Sequence, residues 1–163
     1  SDKMEAKEYA AAKELFLKSE YSDYSDKANE CLIKQAEAYN IKIATKVHLF
    51  TEMNYNSLEL CRIIGNALDN SIEACCKVEI QKRFIYISFK EINDNVLLEI
   101  SNSSCIADTE WLVSTKSDKG MHGYGIQSIC SSAERIGGNV NFKYDNGIFT
   151  MRLLYNLETV RKL

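Results

Sequence analysis

The chain has 163 residues, a formal net charge of −3, six cysteines, seven glycines, two histidines and no proline. That length forms one compact domain, or one domain with a helical appendage, and the composition excludes collagen, mucin-like stalks and disorder. The slight acidic excess leaves no electrostatic footprint for nucleic acid, no apolar run approaches the ~18 residues of a membrane span, and the opening SDKMEAKEYA lacks a signal-peptide stretch.

In chain order, residues of about 3–20 predict an Ala-rich helix, with Tyr9, Ala12, Leu15 and Phe16 forming one apolar stripe. The polar Tyr21-Ser22-Asp23-Tyr24-Ser25-Asp26 interrupts it, and Ser25 or Asp26 can cap a second helix of about 27–39 that stops at Asn40. Ile41-Lys42-Ile43-Ala44 and Val47-His48-Leu49 then alternate as a strand does. The strongest helix follows over about 57–77. The segments 83–91 and 96–101 predict a hairpin around Asn93-Asp94-Asn95. A polar loop of about 114–125 leads into a helix of about 125–136 that stops at Gly137-Gly138. The segments 139–144 and 147–155 make a second hairpin across Asp145-Asn146-Gly147. Helices interleaved with antiparallel hairpins predict an α/β two-layer sandwich, with the helices stacked on one face of the sheet.

The cysteines, at 31, 61, 75, 76, 105 and 130, form no C-x-x-C pair, and adjacent Cys75 and Cys76 are poorly placed for a mutual disulfide. Reduced, mostly buried thiols of a cytosolic protein are expected, without a structural zinc.

The helix LELCRIIGNALDNSIEACCK carries the chemistry. At about 100° per residue, Glu59, Arg62, Asn66, Asn70, Glu73 and Lys77 share an arc of roughly 80°, opposite Leu60, Ile64, Ala67, Leu68, Ser71 and Cys75. Asparagine is a mediocre helix former because its amide competes with the backbone, so a plain solvated face favours Glu, Lys or Gln. Asn66 and Asn70 instead stand one turn apart on one side. Their amide oxygens are hard neutral ligands suited to Mg²⁺ shared with phosphates and water, although the helix alone also fits a wet face carrying two poor helix formers. The second element is Ser114-Thr115-Lys116-Ser117-Asp118-Lys119-Gly120-Met121-His122-Gly123-Tyr124-Gly125, opening into a helix. Glycines let backbone N–H groups approach an anion, and the helix N-terminus adds positive potential. The spacing matches neither a P-loop nor a dinucleotide fingerprint, and by itself Gly-x-Gly also describes a plain loop.

The two elements in this order, separated by one hairpin and followed by another, resemble the GHKL ATP-binding superfamily of sensor histidine kinases, gyrases and their relatives. Arg-Ile-Ile-Gly-Asn-Ala-Leu-Asp-Asn-Ser-Ile-Glu-Ala looks like its N box, and Gly-Met-His-Gly-Tyr-Gly-Ile-Gln-Ser-Ile like its last glycine box. The wording is most similar to the Agr-type, peptide-sensing quorum-sensing kinases. The resemblance implies a two-layer sandwich of the Bergerat type, a mixed sheet with helices on one face, over about 40–158. Residues 1–39 would then be the tail of the dimerisation and phosphoacceptor region.

Carried over residue by residue, it implies ATP and Mg²⁺ as cofactors, with Asn70 chelating Mg²⁺ and Asn66 supporting it. Gyrase-like ATPases hold a Glu general base at the position of Asn66; an amide cannot deprotonate water, which speaks against hydrolysis and for phosphoryl transfer. Lys116, Gly123 and Gly125 would lie at the phosphates, with His122 where many relatives carry Arg. Asn102, in Ile100-Ser101-Asn102-Ser103-Ser104-Cys105, stands where the family places an adenine-binding Asp, without the glycines that usually follow. An Asn oxygen still accepts from adenine, without charge assistance. Ile148 takes a place where relatives often carry Thr near adenine. Neither His48 nor His122 reads as a phosphoacceptor. The implied partners are a phosphoacceptor His helix, a response regulator and a second subunit of a homodimer, in the cytoplasmic part of a kinase anchored to the membrane by segments upstream. The alternative is a degenerate GHKL-fold dimerisation or interaction module with little or no nucleotide binding.

Overall fold

The computed structural model describes residues 34–48, 57–105 and 124–156. The helix expected at about 3–20, and most of that at about 27–39, lie outside them. The last turn of the second, residues 34–38, is helical and stops at Asn40 as the sequence predicts. Asn40 takes a left-handed φ of 55°. Its N–H bonds Glu37 O and the Ile41 N–H bonds Ala36 O, each at 3.0 Å. This is a Schellman closure, with buried Ala36 and Ile41 at the positions where that motif places its apolar contact.

Five strands form one sheet: β1 (Lys42–His48), β2 (Phe84–Ile92), β3 (Asn95–Ser103), β4 (Asn139–Asp145) and β5 (Ile148–Asn156). Their spatial order is β1-β2-β3-β5-β4. β1 runs parallel to β2, and every other neighbouring pair is antiparallel, so the sheet is mixed. Parallel neighbours require a crossover, and α1 (Ser57–Cys76) lies between β1 and β2 in the chain. The two alternating pieces expected at 41–49 are one strand.

Both hairpins close on two residues with positive φ, Asn93 (47°) with Asp94 (63°) and Asn146 (48°) with Gly147 (79°). Their mirror-image turns match the twist of the flanking strands, which is why Asn, Asp and Gly occupy them. Asn95, expected in the first turn, instead opens β3, and β3 continues past the expected Ser101 to Ser103.

Strand alternation sends Ile85, Ile87, Val96, Leu98, Ile100, Met151, Leu153 and Tyr155 to one face. There they form a single core with Ile63, Ile64, Leu68 and Ile72 of α1 and Ile129 and Ala133 of α2 (Tyr124–Arg135). Each such aliphatic side chain contributes on the order of 1.5–3 kcal/mol on burial, so apolar packing holds the two layers together. On the other face, Arg152 Nε meets Glu99 Oε2 at 2.6 Å, and Ser101 shares a hydrogen bond with Thr150.

Two devices fix the ends of the helices. Gly137 closes α2 at φ 66°, with the Gly137 N–H to Glu134 O at 2.9 Å and the Gly138 N–H to Ala133 O at 2.8 Å. Arg83, just before β2, donates to Val78 O (2.9 Å), Tyr39 O (2.8 Å) and Cys76 O (3.1 Å), gathering the C-terminal carbonyls of α1 and the 34–39 turn onto one guanidinium. No helix among the described residues is long and apolar enough to cross a membrane.

Candidate functional site

The apolar side of α1 buries as its periodicity predicts: Leu60, Ile64, Ala67, Leu68, Ser71 and Cys75 are all buried. Its polar side is not the uniformly wet face the wheel suggests, because α2 packs across it. The contact is paired along the two helices. Glu59 meets Arg135, Asn66 meets Ser128, and Asn70 meets Gly125. The Asn-bearing helix and the glycine-led helix are thus brought together directly.

At the end of this pairing nearest the start of α2, Asn70 lies against Gly125, the second residue of α2. A Cβ at Gly125 would stand 2.9 Å from Asn70 Oδ1 and 3.0 Å from Nδ2, so only glycine admits the amide where it is. Asn70 is half-buried and makes no hydrogen bond among the described residues. One turn earlier, Asn66 Nδ2 donates to Arg62 O at 2.7 Å and to Ser128 Oγ at 3.2 Å. Two amide oxygens one turn apart, one of them in a cradle that a Cβ would fill, suit a divalent cation that also takes phosphate and water oxygens.

Glu59 is a correction to the wheel. It is 7% exposed, held by Arg62 at 3.1 Å and by Arg135 at 3.0 Å. Burial alone would raise its carboxyl. The Ser132 hydroxyl beside it and the guanidinium groups of Arg135 and Arg62, both within ion-pair distance, outweigh that effect. They hold the carboxyl below its usual value near 4.5. The other polar-side carboxylate, Glu73, pairs with Lys77 at 3.6 Å. At the two central positions α1 therefore presents amides, which coordinate and hydrogen-bond but do not take protons from water.

Asn102 lies on the helix-facing side of β3 and is 1% exposed. Its Nδ2 donates to Ser103 O at 2.9 Å, and its Oδ1 accepts from Ser71 Oγ at 3.0 Å. The single Ser71 hydroxyl proton is divided between that oxygen and Ala67 O at 2.7 Å, so the residue next to Asn70 is also the one that orients Asn102. Behind it, Cys75 Sγ meets Ser103 Oγ at 3.3 Å and Phe84 O at 3.3 Å, and burial pushes the Cys75 thiol up. In the register of β3 with β5, Asn102 stands opposite Phe149 while Ile148 stands opposite Ser103. Alternation therefore gives the face of Asn102 to Phe149 and turns the Ile148 side chain, 40% exposed, to the other face.

Of the residues expected at the site, Asn66, Asn70 and Gly125 come together, whereas Asn102 is buried against Ser71 on the other side of α1. Lys116, His122 and Gly123 lie outside the described residues. His48 falls in β1, in register with Lys90. Sequence reading missed Ser128 and Arg135. No local signal marks either, because their partners stand 62 and 76 residues away.

A family model described as the GHKL domain matches residues 55–156, more than half of the chain. In sequence the chain is 29% identical to the sensor histidine kinase DpiB of Escherichia coli (strain K12), over 61% of this chain and 20% of that protein, so it spans about a fifth of that relative. In structure it is similar to the nucleotide-free catalytic domain of histidine kinase ThkA, with a TM-score of 0.64 at 13% identity, covering 82% of this chain and 90% of that one. It is also similar to full-length ShkA solved in complex with AMPPNP, with a TM-score of 0.63 at 14% identity, covering 80% of this chain and 28% of that one. The family match takes in α1, α2 and all of the sheet except β1: this chain belongs to the GHKL domain family, and its fold is that of histidine kinase catalytic domains.

Proposed function

We propose that this chain is the ATP-binding catalytic domain of a two-component sensor histidine kinase, delivering the ATP γ-phosphoryl group to a His outside this chain. The observation that carries the reading is Asn70: an amide with no hydrogen bond among the described residues, held in a space that only Gly125 leaves open. The donor set fits Mg²⁺, which when bound balances phosphate charge. In this reading Asn70 offers its oxygen to the metal and Asn66 supports it from one turn away. Asn102 meets the adenine amino group with the Oδ1 lone pair that Ser71 leaves unused. Lys116, His122, Gly123 and Gly125 face the phosphates, where backbone N–H groups at the start of α2 favour an anion.

The protein's part in such a transfer is positioning and electrostatics, so it needs no nucleophile of its own. An amide in place of a carboxylate at Asn66 supports transfer to a protein acceptor over attack by water. The implied partners are the phosphoacceptor helix, a response regulator and a second kinase subunit, with residues 1–39 as the end of the dimerisation region and 40–158 as the catalytic domain. The Asp-Asn-x-Ile-Glu-Ala wording supports the Agr-type, peptide-sensing branch and a cytoplasmic position in a membrane-anchored kinase.

Calorimetry with Mg²⁺ and a non-hydrolysable ATP analogue tests binding, and incubation with ATP and a fragment carrying the upstream His tests transfer. Heat of binding that Asn70→Ala abolishes, together with phosphate on the acceptor fragment, is expected. A chain that gives no heat at high micromolar concentration overturns the reading and returns it to an interaction module. Steady phosphate release without an acceptor points to a hydrolysing ATPase.

A further inference from the structure

Asn66 is constrained in a way that Asn70 is not. An amide nitrogen carries two N–H groups, and here both have acceptors: Arg62 O at 2.7 Å, on the preceding turn of α1, and Ser128 Oγ at 3.2 Å, on α2. The orientation follows from chemistry. A backbone carbonyl can only accept, so the end of the amide facing Arg62 O must be the nitrogen. Asn66 Oδ1 is therefore turned away from both contacts, and it accepts no hydrogen bond among the described residues. Ser128 stands three residues after Gly125, so consecutive turns of α2 meet consecutive turns of α1: Gly125 leaves room for Asn70, and Ser128 holds Asn66.

We propose that Ser128 is a positioning residue that makes Asn66 an acceptor-only group. With both N–H groups used inside the protein, Asn66 presents an oxygen to a divalent cation or its bound water and no N–H to a phosphate oxygen. The inference rests on the nucleotide site proposed above. Without the Ser128 hydroxyl, one N–H of the amide is released and the side chain turns more freely, so the oxygen is less often in place for a metal. The N–H released can bond a phosphate oxygen instead.

Two measurements on the whole chain test this. In the ligand-free protein, exchange of the Asn66 side-chain amide protons is followed by NMR in the wild type, Ser128→Ala and Ser128→Thr. The Ala variant is expected to exchange about five- to tenfold faster, the worth of one ordinary hydrogen bond, and Thr to restore the slow rate. In calorimetry with a non-hydrolysable ATP analogue, Ser128→Ala is expected to raise the Mg²⁺ concentration for half-maximal binding by the same factor. Affinity in EDTA should not fall, because the released N–H can bond a phosphate oxygen, and Thr should again restore the wild-type requirement. Equal losses with and without Mg²⁺, an unchanged Mg²⁺ requirement, or a Thr variant no better than Ala overturns the role of Ser128. Slow exchange lost in the Ala variant, in a protein that binds no nucleotide, overturns the nucleotide reading and leaves the Asn66–Ser128 geometry standing.

Discussion

Gly125→Ala separates stability from function more cleanly than any other single change in this chain. Gly125 does not occupy the left-handed region, so the backbone accepts an alanine, and a helical Gly→Ala change gains roughly 0.5–1 kcal/mol. Against that, the new Cβ would lie 2.9 Å from Asn70 Oδ1 and 3.0 Å from Nδ2. The atoms in the way are the far end of a flexible side chain, so the amide swings aside at about 0.5–1.5 kcal/mol for an off-rotamer position. The two terms nearly cancel, and the urea midpoint should change by less than the equivalent of about 1 kcal/mol. Binding behaves differently. A charge-assisted contact of about 1.5–3 kcal/mol is lost when Asn70 leaves its place, weakening Mg²⁺-dependent binding of an ATP analogue roughly ten- to 150-fold. Because the loss acts through Asn70, Gly125→Ala on top of Asn70→Ala should add almost nothing. Wild-type affinity in Gly125→Ala, or additive losses in the double variant, would refute the reasoning.

Gly138→Ala makes the opposite prediction. Its Cβ would lie 3.0 Å from Leu153 Cδ1, 3.2 Å from Tyr155 Cβ and 3.3 Å from Ala133 O, among fixed core and backbone atoms, and should cost about 1–3 kcal/mol in urea unfolding. A variant as stable as the wild type would show that this packing is looser than the distances say. Glu59→Gln removes a buried carboxylate whose Arg135 and Arg62 partners are half-exposed and can turn to water, so the loss near pH 7 should be nearer about 1–2 kcal/mol than the 3–5 of a fully buried pair. Because Glu59 has a lowered folded pKa, its contribution is present above its ordinary value near 4.5 and fades as the pH falls through the lower folded value. Wild type and variant should therefore draw together in stability as the pH falls below about 4.5, and a stability difference that does not shrink at all over that descent would contradict the ion pairing.

Much of this protein is legible residue by residue. The stop at Asn40, the turns at Asn93-Asp94 and Asn146-Gly147, and the closure at Gly137 depend on φ angles that few residues tolerate, so a short window of sequence specifies them. The buried side of α1 and the alternation of β3 and β5 follow from periods of 3.6 and 2. The spacing of Asn66 and Asn70 places both amides on one side for the same reason. What the sequence left open depends on α2 crossing α1. That packing buries Glu59 on a side the wheel reads as solvent, turns the Asn66 amide toward Ser128, and seats Asn70 in the space at Gly125. Likewise the register of β3 with β5, not the count of residues, puts Phe149 rather than Ile148 opposite Asn102. Local sequence sets dihedral preferences and periodicity within a few residues, whereas contacts between positions 62 and 76 apart arise only when the helices close over a shared core.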